Sequence, residues 1–276
     1  MSQLSSKQVR IGVVDFLNAA PMIDGMSSID GVELVQKVPS ELIGCLERNE
    51  VDIALASSID YQRSSAELLI LPAGVLSSDG ETLTVRLFSR VPLEKISEVY
   101  CDTDSHTSIA LLQIVLSHAF GITPTITSLD ICSLGEVTHD WPETVLMIGD
   151  KVVTCNTDSE YPHQLDLGNA WREQTGLPFV FATWFGREDL EVAVVQRVSM
   201  LLDRQLRLNT NRIEQVVSAN ADGRGWDVHL ASRYLTRNMQ YTFTEDHKKS
   251  LLLFFELACS LGLLNQVRPL RFYGDE

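Results

Sequence analysis

Apolar positions along the chain come in two textures, and the change between them divides the sequence. From Val9 to about Gly186, short unbroken apolar runs alternate with amphipathic stretches. The run "VRIGVVDF" lacks polar alternation, which predicts a strand covered on both faces. "VELVQKV" and "VDIALASS" predict two more strands. Between them "PSELIGCLERNE" predicts a helix with Leu42, Ile43 and Leu46 on one face and Ser40 as its cap. Strand and helix alternating in this way imply parallel pairing through right-handed crossovers.

A turn at Ser78-Asp79-Gly80 and a strand in "TLTVRLFS" follow. A second series then begins with "ISEVYCD", a helix over 106–120, "TPTITSL" and "TVLMIGD". The helix rests on Ile109, Leu112, Val115, Leu116 and Ala119 recurring at helical spacing, with Gly121 to stop it. In "LPFVFATWF", Phe179 and Phe181 alternate as strand positions do, while Trp184 suits either the core or a wall against a flat ring. From about Leu190 to Leu264 the pattern is helical alone, with Thr244 capping a helix that opens on Glu245 and Asp246. Two α/β series and a helical tail imply a chain that builds one lobe, crosses to a second and returns. The crossovers are expected near Ser89–Pro92 and Thr183–Gly186, giving lobes 1–90 plus 185–276 and 91–184 with a ligand cleft between them.

Charge narrows the partners. A formal net charge of −15 argues against binding a nucleic-acid backbone, which needs a clustered positive surface. The start, "MSQLSSKQVR", has no apolar segment of a secretory signal, and "LLLFFELACSLGLL" is broken by Glu256 and Ser260 well short of the ~20 residues of a membrane span. A cytoplasmic protein is expected, without membrane contact. Cys45, Cys101, Cys132, Cys155 and Cys259 form no CxxC pair and read as free thiols. The six histidines form no metal-binding spacing, so no metal is expected.

In parallel α/β sheets ligands sit beyond the carboxyl ends of strands. Those ends deliver Asn18 after strand one, Ser57-Ser58 after strand three, Thr82 and Thr84, then Ser105, His106, Thr107 and Ser108 before the long helix, and Gly149-Asp150. Small hydroxyls, one amide and helix amino ends hold a small carboxylate without Lys or Arg. Each hydroxyl alone more readily caps a turn; their shared location makes the case. His106 suits a first-turn surface position or a general base, and Asp150 a loop cap or a ligand-facing carboxylate. Asp15 and Asp52 read as structural. Gly223-Arg224-Gly225 follows no strand, so it reads as a turn and not a phosphate loop.

The segments "RIGVVDFLNAAPM", "VPSELIGCLERNEVDIALASSIDY", "LSSDGETLTVRLFSRVPLE", "DSHTSIALLQIVL", "MIGD" and "DLGNAWREQTGLPFVFATW" resemble, in this order, the menaquinone-biosynthesis enzymes of the futalosine route. The resemblance spans roughly Arg10 to Leu264 and is stronger toward the branch that dehydrates chorismate. It implies a two-lobed type II periplasmic-binding-protein-like α/β fold used as a lyase, with no cofactor. The implied reaction removes water from chorismate to leave 3-[(1-carboxyvinyl)oxy]benzoate. Asn18 falls on the family's active-site Asn, and Ser57, Ser58, Thr84, Thr107 and Ser108 on positions resembling its substrate-contacting hydroxyls. Thr84 stands where Ser is expected, and "IGDKVV" departs from Ile-Gly-Asp-x-Ala-Leu, which leaves the role of Asp150 open. The alternatives are the naphthoate-forming sister enzyme, for which a Pro-Asn-Asp stretch and a catalytic His are expected at strand one, and a non-catalytic binder of small carboxylates.

Overall fold

A computed structural model describes residues 8–131, 137–155, 157 and 160–274 of the chain, so Cys132 lies outside the described residues. The first sheet contains β1 (Val9–Val14), β2 (Val32–Lys37), β3 (Ile53–Ser57), β4 (Leu68–Ser78), β10 (Phe179–Arg187) and β11 (Met239–Gln240). Its order is β11-β4-β10-β3-β1-β2. The second contains β5 (Val85–Ser89), β6 (Glu98–Asp102), β7 (Thr125–Leu129), β8 (Thr144–Ile148) and β9 (His163–Asp166), in the order β7-β6-β8-β5-β9. The helices are α1 (Ala20–Ile23), α2 (Pro39–Glu47), α3 (Asp60–Arg63), α4 (His106–Phe120) and α5 (Lys151–Thr154). They continue with α6 (Leu167–Thr175), α7 (Val192–Asn211), α8 (Ile213–Asn220), α9 (Val228–Arg233) and α10 (Glu245–Ser260).

The unbroken apolar run of β1 is explained by its place inside the sheet. It pairs in parallel with β2 and β3, and Ile11 and Val13 are wholly buried. In the second sheet β6 pairs in parallel with β7 and β8, as a strand–helix series requires. The helix expected over 106–120 forms with those bounds; Ser105 caps it by accepting from the Ser108 N–H at 3.3 Å, and Gly121 ends it in the left-handed conformation. Ser40, in contrast, is not a cap. Pro39 occupies the first turn of α2 and holds Val38 extended, so the helix starts before Ser40 reaches the capping position.

The changes of sheet also fall elsewhere than at Ser89–Pro92 and Thr183–Gly186. Val85–Ser89 ladders along its whole length with β8, and Phe179–Arg187 with β4. The chain therefore leaves the first sheet between Ser78 and Val85 and rejoins it between Asp166 and Phe179. Strand partners come from distant segments, so a local pattern gives the strand but not the sheet it joins. Trp184 is fully buried, with Leu55 and Leu71 opposite it in the ladders, and is core and not a cleft wall. Phe179 packs edge-on against Phe181, Trp171 and Phe254, which joins β10 to α6 and α10.

Candidate active site between the two sheets

After β1 the chain makes one 3-10 turn, Leu17–Ala19, entered from extended Phe16 and continued by α1 with Pro21 in its first turn. This fixes Asn18 at the strand end, where it lines a cavity of about 50 Å³. Ser57, Thr82, Thr84, Ser105 and Ser108 line it too, with Phe16, Pro39, Phe181 and Met239 among the apolar walls. Among the described residues the lining contains no Lys, Arg, His, Asp or Glu.

Two polar atoms in this lining lack partners among the described residues. Asn18 Oδ1 and Ser57 Oγ are buried and make no hydrogen bond with any of them. Leaving such an atom unpaired costs about 1–3 kcal/mol, so a pair of them at one cavity marks a place where an occupant supplies the partners.

The other polar groups around the cavity are held firmly. Thr84 Oγ1 lies 2.7 Å from the hydroxyl of Tyr234, a fully buried residue whose ring stacks on Trp226 at 4.9 Å. Burial pushes the Tyr234 phenol well above its ordinary range, opposed by its hydrogen bond with Thr84. Tyr234 opens a single π-helical turn, Tyr234–Asn238, in the helical tail. The Asp166 carboxylate accepts from the Thr82 N–H at 2.9 Å, the Leu83 N–H at 2.7 Å and the Asn169 N–H at 3.1 Å. It thus caps α6 while holding Leu83 in the left-handed region at φ +69°. Burial raises the Asp166 carboxyl above its usual range, opposed by those same three donors.

The structure brings Asn18, Ser57, Thr82, Thr84, Ser105, Ser108 and Gly149 to the cavity and leaves Ser58, His106, Thr107, Asp150 and Trp184 out of its lining. Ser58 and Thr107 stand one layer behind. Ser58 Oγ donates to the Val180 carbonyl at 2.8 Å and lies 3.3 Å from Thr107 Oγ1, which accepts from the Ile59 N–H. His106 is partly exposed, with Nδ1 2.9 Å from Asp60. Asp150 accepts from the Leu17 N–H, 3.2 Å from each carboxylate oxygen, with Arg224 3.8 Å away. Burial pushes its carboxyl upward, partly offset by the Leu17 donor and Arg224. His106, Thr107 and Asp150 therefore tie the two sheets' halves together on the cavity's margins. Tyr234 and Asp166 escaped the sequence reading as site residues. Tyr234 sits in the helical tail without a local motif; Asp166 had a signal in the "DLG" block, but no spacing joins it to Thr82.

The comparisons with known proteins agree with this architecture. Residues 9–260 match the family described as Menaquinone biosynthesis. The chain belongs to that family. A similar relative is the chorismate dehydratase of Thermus thermophilus, 29% identical over 272 residues, covering 92% of this chain and 95% of that protein. Among solved structures, protein AF1704 from Archaeoglobus fulgidus superposes with a TM-score of 0.79 at 18% identity, over 95% of this chain and all of that one. The alkanesulfonate-binding protein SsuA from Xanthomonas axonopodis pv. citri, bound to MOPS, gives 0.65 at 14% identity, over 94% of each chain. This menaquinone-biosynthesis chain thus carries a periplasmic-binding-protein-like fold. No helix among its described residues is long and apolar enough to cross a membrane.

Proposed function

We propose that the chain is a cytoplasmic chorismate dehydratase, a carbon–oxygen lyase with its active site at the cavity around Asn18. The observation that carries this reading is the pair of unpartnered buried atoms, Asn18 Oδ1 and Ser57 Oγ, in a hydroxyl-rich lining without ionisable side chains. Membership of the menaquinone-biosynthesis family and the similarity to a chorismate dehydratase along nearly the whole chain support it.

The chemistry suits such a lining. Chorismate loses a proton from its ether-bearing ring carbon, the C–H pair becomes a ring double bond, and the neighbouring C–O bond breaks with its electrons on oxygen. A substrate carboxylate takes the proton and passes it to the departing hydroxide, so water and 3-[(1-carboxyvinyl)oxy]benzoate remain. Aromatisation drives the step, and no strong protein base is required. The absence of Asp, Glu, His and Lys from the lining favours this assignment of the base. Ser105, at the start of the 15-residue α4, accepts from the Ser108 N–H and hydroxyl and keeps its own hydroxyl proton for a carboxylate. The protein supplies position, which contributes several kcal/mol through effective molarity, and hydrogen bonds where charge develops.

The test is incubation with chorismate followed by mass spectrometry. The proposal expects a product one water lighter, lost with Asn18→Ala and kept within a few-fold with His106→Ala. Intact chorismate refutes it and leaves a binding protein. Turnover of cyclic futalosine in its place would identify the naphthoate-forming sister activity.

A further inference from the structure

The chain passes from the first sheet to the second through the segment 79–84 and returns through the segment that opens with α6. Both connections meet at one carboxylate. Asp166, the last residue of β9, stands just before α6 and accepts the Asn169 N–H on Oδ1 at 3.1 Å. The same oxygen accepts the Thr82 N–H at 2.9 Å, and Oδ2 accepts the Leu83 N–H at 2.7 Å. Arg86 faces Oδ2 at 3.7 Å. Gly168 completes the junction, since α6 approaches Ser78, Gly80 and Thr82 too closely to leave room for a Cβ.

Leu83 is held in a costly conformation. Among the described residues, it and Asn49 are the non-glycine residues at positive φ. Asn tolerates that region; in Leu it brings Cβ close to the following carbonyl oxygen. Such a conformation persists where the surroundings over-determine it, and the consecutive N–H groups of Thr82 and Leu83 both point at Asp166. Relaxing φ from +69° to about −60° would turn one side of Leu83 against the other by about 130°. Thr82 and Thr84 flank Leu83, and both line the cavity. Their joint orientation depends on the left-handed turn between them.

We infer that Asp166 is a positioning residue: its carboxylate pins both crossovers and, by holding Leu83 left-handed, sets the Thr82 and Thr84 hydroxyls on the cavity. Asp166 is not in the lining and acts through the turn. Resting on the dehydratase reading, the two hydroxyls serve chorismate as a pair whose placement belongs to the connection between the sheets. A carboxylate is required because three N–H groups share its two oxygens. An amide of the same shape has one oxygen; kept on the Thr82 and Asn169 donors, it confronts the Leu83 N–H with an NH2 group.

The test is Asp166→Asn, Leu83→Gly and the two combined, in steady-state turnover of chorismate with thermal melting alongside. Asp166→Asn is expected to lower kcat/KM at least tenfold. In the Leu83→Gly background the same change is expected to cost less than about threefold, because glycine holds positive φ without support. A part in folding alone would cost the same in both backgrounds. Asp166→Asn within threefold of wild type overturns the inference, as do losses that multiply. If Asp166→Asn melts far below wild type, Leu83→Val is compared with Leu83→Gly while the carboxylate stays intact. A β-branched residue is a poor occupant of the left-handed region, so Leu83→Val is expected to turn over at least about tenfold more slowly. Equal turnover of the two overturns the inference. If the wild-type protein leaves chorismate intact, the dehydratase reading fails and the pin is judged by itself. Amide hydrogen exchange at Thr82 and Leu83, read by mass spectrometry on fragments spanning 79–85, is then expected to be at least tenfold faster in Asp166→Asn, with α4 unchanged. Equal exchange, or an increase that extends to α4, overturns the inference independently of activity.

Discussion

Gly168 offers a measurable link between packing and the cavity. A Cβ added there would lie 1.9 Å from Thr82 Oγ1, 2.5 Å from Ser78 Oγ and 2.7 Å from the Gly80 carbonyl oxygen. An ordinary contact is about 3.4 Å, so Gly168→Ala requires the segment between Ser78 and Thr82 to retreat by about an ångström or more. Rotating Thr82 away gives little relief, because its hydroxyl is bonded to Ser78 Oγ at 3.0 Å and the Gly80 clash is with backbone. The cost belongs in the upper part of the overpacking range, about 2–3 kcal/mol, which lowers Tm by roughly 3–5 °C in a chain of this size. The same retreat carries Thr82 and Thr84 off the cavity, and misplacement by about 1 Å can cost ~10²-fold in rate. Differential scanning fluorimetry and chorismate turnover read the two effects. Gly176→Ala is the comparison, since Gly176, unlike Gly168, sits at positive φ (+71°) but an added methyl there meets nothing within 4 Å. It costs ~1–2 kcal/mol of backbone strain and leaves turnover intact. A Gly168→Ala protein with Tm within 2 °C and turnover within twofold of wild type refutes the reasoning.

Two further outcomes follow from the polar network. Buried His247 accepts the Thr244 N–H on Nδ1 at 3.2 Å and faces Ser77 Oγ through Nε2 at 2.8 Å. Burial lowers its pKa below the ordinary 6.5, with Asp246 and Asp79 opposing. Because the folded pKa lies below the unfolded one, its contribution is complete above about pH 6.5 and is lost as pH falls through the folded pKa, by up to about 1.4 kcal/mol per unit. Urea denaturation between pH 7.5 and 5.5 is expected to be flatter in His247→Gln than in wild type, and parallel pH dependences contradict this. Asp150→Ala strips the Leu17 N–H of its acceptor and loosens one margin of the cavity, worth about 1–3 kcal/mol of closure. The radius of gyration in solution scattering and KM both rise if Asp150 is a tie, and unchanged values contradict it.

What the sequence disclosed follows the range of the forces involved. The buried run of β1 and the spacing in α4 are local and were legible, α4 with its bounds and β1 two residues too long at its end. The start of α2 was also local, but the proline outweighed the serine beside it. Sheet membership of Val85–Ser89 and Phe179–Arg187 depends on partners from distant segments, for β10 more than a hundred residues away, and the crossovers were misplaced accordingly. Strand ends brought Asn18, Ser57, Thr84 and Ser108 within reach of one another on paper, and the fold joins them at one cavity. Ser58, Thr107, His106 and Asp150 occupy similar strand or helix ends, yet their side chains turn to neighbouring segments. Chemical type did not reveal that orientation. Tyr234 lay beyond local inference, because only tertiary packing carries the helical tail to Thr84.

The ties at the two margins, Asp150 to Leu17 on one side and His106 and Thr107 to the segment 58–60 on the other, give the chamber a schedule. A molecule arriving and a molecule departing use the same parting of the halves, and each must wait for bonds on both sides to let go. Substrate and spent product then contend for a single berth. Product is expected to inhibit competitively, and solvent viscosity to slow the turnover of a chamber that must swing open once per cycle.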